Sequence, residues 1–272
     1  MPQYNNKRKI IEHYDVASPY YRALWGEHLH HGYWITGSET KEEAQVALTS
    51  YLAHTAQINH GSDILDVGCG FGASSIYLAK EYQASVIGIS ISAVQTSIAQ
   101  RAADVINTNA KFIVMDADEM ALQAEFDLIW CIESVSHFEN KPRFFNCAAQ
   151  MLRPGGRIAV ADWFRSSVPD VHQHQGCIRT IERGMLVKLT TIADYSEMAQ
   201  NAGLNILSDK DLSYRCRKTW DITTDLLKNQ TLRQLAAAQP IEFIRFVRSA
   251  RAMRTGFAHG CFVYGMLLAQ KN

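Results

Sequence analysis

The 272-residue chain has little of what marks a secreted, membrane-spanning or nucleic-acid-binding protein. Its six cysteines, Cys69, Cys131, Cys147, Cys177, Cys216 and Cys261, are scattered, with no C-x-x-C pair and no tight cluster. That spacing offers neither a disulfide framework nor a zinc site, and free thiols in the reducing cytoplasm are the expectation. Nowhere does the sequence approach the roughly 18 consecutive apolar residues of a membrane span, and Met1–Lys9 lacks the apolar core of a signal peptide. An excess of either charge is missing too: 27 Lys and Arg balance 27 Asp and Glu, which leaves no global field to draw nucleic acid or an anionic membrane. An N-P-P-F/Y motif, internal repeats and low-complexity tracts are also lacking. What is left is one large domain, or a domain with a modest lid, whose partner is a small molecule; homodimerisation stays open.

Residues 64–72 read Ile-Leu-Asp-Val-Gly-Cys-Gly-Phe-Gly. An apolar run that carries Asp66 and flows into the alternating glycines Gly68, Gly70 and Gly72 suits a buried parallel strand. The turn after it has a backbone that can approach a ligand closely. From Asp63 to Asp162 strands and helices alternate. Strands are expected at Ile64–Val67, Ser85–Ile89, Lys111–Met115, Phe126–Cys131 and Arg157–Asp162, and helices at Ala73–Tyr82, Ala93–Asn107 and Pro142–Leu152. Pro154-Gly155-Gly156 marks a turn after the third helix. The pattern predicts an α/β fold with a Rossmann-like, doubly wound, mostly parallel sheet, its site at the carboxyl ends of the strands.

Upstream, Ile10, Ile11 and Tyr14, then Ala44 to Thr55, recur at helical spacing and flank an aromatic loop at Trp25–Trp34. Residues 1–60 therefore read as an N-terminal helical cap segment and 61–272 as the ligand-binding domain, with a basic helical lid insertion at about 210–255. Residues 163–192 read as irregular polar turns, Ile192–Ala202 as a helix closed by Gly203, and Leu204–Ser208 and Cys261–Ala269 as further strands.

Three features fall at successive strand ends. Gly88-Ile89-Ser90-Ile91-Ser92 with Gln95 comes first. A dinucleotide enzyme needs an acid about 20 residues after its glycines. None lies between Ala84 and Ala103, which counts against a nicotinamide oxidoreductase, whereas Ser90 and Gln95 can meet a ribose and Ser92 can cap the next helix. Asp116-Ala117 comes second, where a carboxylate and the following backbone N–H can meet an adenine edge. Third, Ile132-Glu133-Ser134-Val135-Ser136-His137 brings a carboxylate and an imidazole to the sheet's rim. His137 titrates near neutrality and can take a proton, although a lone histidine is more often structural. The groups His28, His30, His31 and His172, His174 have no cysteine beside them, so a metal site is not expected. Arg245, Arg248, Arg251 and Arg254 suit a solvated helix face better than a phosphate clamp.

Taken in order, D-V-G-C-G-F-G, G-I-S-I-S-x-x-Q, D-A, F-D-L-I-W-C-I-E-S-V-S-H-F and L-R-P-G-G-R-I-A-V-A-D resemble class I S-adenosylmethionine-dependent methyltransferases over residues 60–165. The segment Trp25-Gly26-Glu27-His28-Leu29-His30-His31-Gly32-Tyr33-Trp34 narrows the resemblance to the γ-tocopherol methyltransferase-like small-molecule group. The resemblance implies S-adenosyl-L-methionine as cofactor. It places Asp66, Gly68 and Gly70 at its methionine part, Ser90, Ile91 and Gln95 near the ribose, Asp116 and Ala117 at adenine, and Ile132 to His137 along the sulfonium. It adds Tyr14 as a residue that closes over the cofactor, with Tyr33 and Trp34 as aromatic wall. His137 is the implied base, Asp162 its assistant and Glu133 a third candidate. The implied reaction is methyl transfer to an O, N or C atom of a small aromatic, prenylated or natural-product acceptor. A cyclopropane-forming or prenyl-carbon relative and a non-catalytic cofactor-binding module are the alternatives.

Overall fold

A computed structural model describes residues 4–123, 125–167, 172–226, 234, 237 and 240–272. Two helices lead, α1 (Tyr4–Trp25) and α2 (Lys41–Ala56), the second opened by a reciprocal capping box between Thr40 and Glu43 that satisfies two otherwise unpaired N–H groups. The alternating section follows as β1 (Asp63–Val67), α3 (Ala73–Glu81), β2 (Ser85–Ser90), α4 (Ala93–Val105), β3 (Ala110–Val114), β4 (Phe126–Ile132), α5 (Lys141–Met151) and β5 (Leu152–Arg165). The last section holds α6 (His172–Met185), α7 (Ile192–Asn201), β6 (Leu204–Asp211), α8 (Ser213–Cys216), α9 (Lys218–Leu226), α10 (Pro240–His259) and β7 (Phe262–Lys271).

Seven described strands form one sheet in the order β3-β2-β1-β4-β5-β7-β6, all parallel except β7, which runs antiparallel to both neighbours. The expected α/β fold is therefore present. Its central strands are apolar on both faces because helices cover both: Leu65, Val67, Ile129 and Val160 pack into one layer, Ile64, Trp130, Ala159 and Met266 into the other. The chain turns back from β3 to β4 beside β1, and the crevice this leaves beyond the ends of β1 and β4 is where open α/β sheets bind ligands.

Two expectations are corrected. Residues 163–192 are not irregular throughout, since 172–185 form α6. Its buried Ile181 joins Trp220 of α9 and Ala250 and Met253 of α10 in a third apolar cluster, so the helix is held by partners distant in sequence. Strand β5 is also longer than Arg157–Asp162, and Pro154-Gly155-Gly156 sits inside it as a bulge. Phe126 pairs with Leu152 but Leu128 with Arg157, so four residues of β5 stand opposite Asp127 alone, and Gly155 takes φ +77° where they turn. The segment expected as a lid is helical in α8, α9 and α10, while residues 227–233, 235, 236, 238 and 239 of it lie outside the described residues.

Candidate active site

The crevice is a cavity of about 250 Å³. Its floor is the glycine turn after β1. Gly68, Gly70 and Gly72 all have positive φ (+82°, +53° and +79°), a region that side-chain-bearing residues rarely adopt. At Gly68 space is also decisive, because a Cβ there would lie 2.3 Å from Ser134 Cβ, while Ser134 Oγ donates to Val67 O at 2.6 Å. The exits of β1 and β4 are thus packed directly against each other. Asp66 is buried beside this turn and accepts from Ser75 Oγ at 2.5 Å; burial pushes its carboxyl up to about 7.

At the ends of β2 and β3 the polar groups already have partners. Ser90 Oγ donates to Gln95 Oε1 at 2.8 Å, and Ser92 Oγ caps α4 by accepting from Gln95 N at 3.1 Å. Helix α1 crosses the opening and is pinned to it by polar contacts. Ser92 Oγ donates to Asp15 at 2.5 Å, and Lys7 Nζ lies 2.6 Å from Asp116 and 3.0 Å from Asp118. Burial alone would lower the Lys7 pKa, but the two carboxylates outweigh it and hold the ammonium above its usual value. Ser90, Ile91, Gln95, Asp116 and Ala117 all line the cavity.

The segment after β4 carries the reactive groups. His137 sits on a short 3-10 turn, Val135–His137, that is gripped from several sides. Asp162 Oδ2 accepts from Ser136 N at 2.7 Å, and the buried Lys141 ammonium donates to Ser136 O at 3.1 Å and Phe138 O at 2.9 Å. His137 Nδ1 lies 3.1 Å from Leu186 O. A carbonyl only accepts, so Nδ1 carries the proton and Nε2, 3.2 Å from the Tyr14 hydroxyl, is the acceptor of that O–H. Burial lowers the His137 pKa to about 4, so the ring is neutral at pH 7. Tyr14 is pushed upward by burial and by the nearby Glu133 and Asp162, which keeps its hydroxyl protonated.

Glu133 has φ +53°, a strained conformation for a non-glycine residue, and is held there by contacts across the chain. Its N donates to Ala161 O at 2.8 Å, while Oε1 accepts from His31 N at 2.6 Å and His31 Nδ1 at 3.0 Å. Burial alone would raise the Glu133 pKa, but His31 and its hydrogen bonds outweigh that and the carboxyl lies below its usual value.

The structure brings Tyr14, Asp66, Gly68, Gly70, Ser90, Ile91, Gln95, Asp116, Ala117, Ile132, Glu133 and His137 to one cavity. Three expected residues stand elsewhere. Side chains alternate along a strand, and Trp163 faces the cavity, so Asp162 points to the opposite side. There it is fully buried, accepting from Tyr195 OH at 3.0 Å as well as from Ser136 and Trp163 backbone N–H groups. Its contact with His137 is indirect, through Ser136. Tyr33 is the second. Its N donates to Ala44 O at 2.7 Å and its ring stacks on Tyr51 at 4.6 Å, turning the side chain onto α2 instead of into the cavity. Trp34 likewise donates to Glu39 O. The aromatic wall comes from Tyr14, Tyr21, Trp25, Trp163, Trp220 and Phe246 instead.

Sequence reasoning missed Lys7, Trp163, Trp220 and the His31–Glu133 contact. Only the decapeptide holding His31 carried a signal, and it was a signal of kinship, not of a role. His28 and His30 form a buried chain with it: His30 Nδ1 donates to His31 O at 2.8 Å, leaving His30 Nε2 to accept from His28 Nδ1 at 2.9 Å. Burial holds His30 below its usual value and His28 down at about 3, so both are neutral. No three or more His, Cys, Asp or Glu converge as a metal set among the described residues, and the side chains of His172 and His174 lie outside them.

The cavity fits the cofactor that the sequence resemblance implies. Gly68 offers bare backbone where a Cβ has no room, carboxylates stand at the ends of β1 and after β3, and aromatic faces suit a sulfonium cation. Comparison with known proteins agrees. The mycolic acid cyclopropane synthetase family matches residues 2–260. A 27-O-demethylrifamycin SV methyltransferase of Amycolatopsis mediterranei is 34% identical over 238 residues, which covers 85% of this chain and 87% of the relative. The chloroplastic tocopherol O-methyltransferase of Arabidopsis thaliana is 27% identical over 97% of this chain and 82% of its own length. Among solved structures, a cyclopropane synthase of Mycobacterium tuberculosis shares the fold with TM-score 0.87 at 20% identity, over 97% of this chain and 98% of its own.

Proposed function

This chain belongs to the mycolic acid cyclopropane synthetase family and is an S-adenosylmethionine-dependent methyltransferase of small natural-product or lipid acceptors; from that premise we propose that its acceptor is a neutral, hydroxylated aromatic or prenylated molecule, methylated on oxygen. The observation that carries the proposal is the Tyr14–His137 contact at the cavity, a neutral imidazole whose Nε2 already receives a hydroxyl proton. The charge of the lining supports a neutral acceptor. Among its described residues Lys7 is the only Lys or Arg, and it is engaged by Asp116 and Asp118, so a phosphate or diphosphate finds no free cation there.

When bound, the cofactor would supply an electrophilic methyl group on a positively charged sulfur, which keeps the electron pair of the broken carbon–sulfur bond and leaves as a neutral thioether. The backbone at Gly68 and Gly70 and the Asp66 carboxylate would hold its amino-acid end, Ser90 and Gln95 its ribose, Asp116 and Ala117 its base. Tyr14 closes the cavity from α1 and excludes water. As the acceptor oxygen gains carbon, its O–H bond breaks; that proton passes to the Tyr14 oxygen, and the Tyr14 proton moves on to His137 Nε2. Aligning the reactants and excluding water contribute the rest of the acceleration.

The test is transfer of labelled methyl from S-adenosylmethionine to a panel of phenols, prenylated hydroquinones, terpene alcohols, amines and prenyl diphosphates. Label in an ether on a neutral hydroxyl compound is expected. Label only on nitrogen, on carbon or on a diphosphate ester overturns the proposal.

A further inference from the structure

Two of the histidines that line the cavity, His137 and His31, differ in one respect. Both ring nitrogens of His137 are engaged, by Leu186 O and by the Tyr14 hydroxyl. His31 has one engaged nitrogen. Its Nδ1 lies 3.0 Å from the Glu133 carboxylate, and an unprotonated nitrogen facing a carboxylate is repelled, so Nδ1 carries a proton and donates it to that bond. Trp163 Nε1 also lies 3.3 Å from His31 Nδ1, but with the proton already there this is a packing contact. His31 Nε2 is buried and has no hydrogen-bond partner among the described residues.

A second orphan stands beside it. Trp220 Nε1, a group that can only donate, is likewise buried without a partner, and the His31 and Trp220 rings meet edge to face with centroids 5.1 Å apart. The residues are 2% and 5% exposed, and both line the cavity. Buried polar groups are nearly always paired, so two unpaired ones on touching rings in a ligand cavity indicate a ligand group that pairs with them. The roles are complementary: with Nδ1 the donor to Glu133, His31 offers a lone pair at Nε2, and Trp220 offers an N–H. One group answers both, a hydroxyl whose oxygen accepts from Trp220 and whose hydrogen is donated to His31.

We propose that His31 and Trp220 form a hydroxyl-recognition subsite for the methyl acceptor, with Glu133 fixing the His31 tautomer. The subsite rests on reading the cavity as the place where the acceptor binds. Glu133 is then a positioning residue, which accounts for a buried carboxylate kept in a strained backbone conformation next to His31.

The test uses phenol, anisole and toluene, which respectively both donate and accept, only accept, and do neither. Their affinities for the protein loaded with S-adenosylhomocysteine are measured by NMR titration. Phenol is expected to bind about tenfold tighter than toluene, with anisole between them. Trp220→Phe should remove the advantage of anisole over toluene. His31→Asn, whose amide can still donate to Glu133, should remove the advantage of phenol over anisole. Equal binding of the three compounds, no binding of phenol, or an unchanged preference in both variants overturns the subsite. Affinity for S-adenosylhomocysteine, measured in the same samples, should stay within about threefold of the parent and reports whether each variant folds. The O-methylation reading fails separately, in the labelled-methyl panel.

Discussion

The Tyr14 hydroxyl lies 3.2 Å from His137 Nε2, a contact that spans 123 positions and ties the first helix to the turn after β4. Because Leu186 O fixes the proton on Nδ1, the direction of this hydrogen bond is determined, and the imidazole is set up to receive a proton from the side on which α1 closes. Helix position and proton transfer are therefore one geometric condition.

Removing the imidazole by His137→Ala should lower kcat by about 10²–10³-fold, the usual scale for a general base, with S-adenosylhomocysteine affinity nearly unchanged. Tyr14→Phe should lower kcat by about 10–10²-fold. Steady-state kinetics with an acceptor from the panel and calorimetric titration of S-adenosylhomocysteine separate the two effects; unchanged turnover in both variants rejects the relay.

Asp162 should behave as a positioning residue. Asp162→Asn weakens its hold on Ser136 N and should cost about 10-fold or more in kcat, with little change in cofactor affinity. The discriminating measurement is the double variant with His137→Ala, which should be no slower than His137→Ala alone, because residues acting as a unit are not additive. Additive losses contradict indirect action.

Asp66 sets a pH dependence. Its carboxyl is raised to about 7 in the folded chain from 3.8, so the native state binds the extra proton. Its contribution to stability is full below about pH 4 and is lost as pH rises through 7. Asp66→Asn should therefore stabilise the free protein at pH 8 by about 1–3 kcal/mol and have little effect at pH 4. Thermal melts across pH test this. If the ionised form holds the amino group of the ligand, S-adenosylhomocysteine affinity should rise from pH 5.5 to 7.5 in the parent and be flat in the variant.

Lys7 pins the start of α1. Lys7→Ala removes a half-buried ion pair with Asp116 and Asp118, a change of about 1 kcal/mol, and should speed proteolytic clipping within the first 25 residues several-fold without shifting the global Tm by more than a few degrees. Limited proteolysis followed by mass spectrometry reads this directly.

The parallel strands and the glycine turn were legible because apolar runs ending in Asp66, Ser90 and Ile132 are local signals. Helix α6 was not, since the face carrying Ile181 is buried only by α9 and α10, and no local pattern announces those partners. Asp162 lies three residues before the end of β5, on the face turned away from the cavity. The alternation with Trp163 decides that, and only the packing of β5 shows which of the two faces the cavity. Tyr33 depended on how a loop folds onto α2, and the His31–Glu133 contact on a separation of 102 positions.

The missing Cβ at Gly68 has a consequence for engineering. With 2.3 Å separating that would-be atom from Ser134 Cβ, the loops after β1 and β4 are keyed to each other. Grafting the loop after β4 from a relative, in order to change acceptor range, will work only where the donor keeps a side chain no bulkier than serine at position 134. A larger residue there displaces the glycine turn and damages the cofactor cradle before acceptor choice is affected, so the two loops are to be exchanged together.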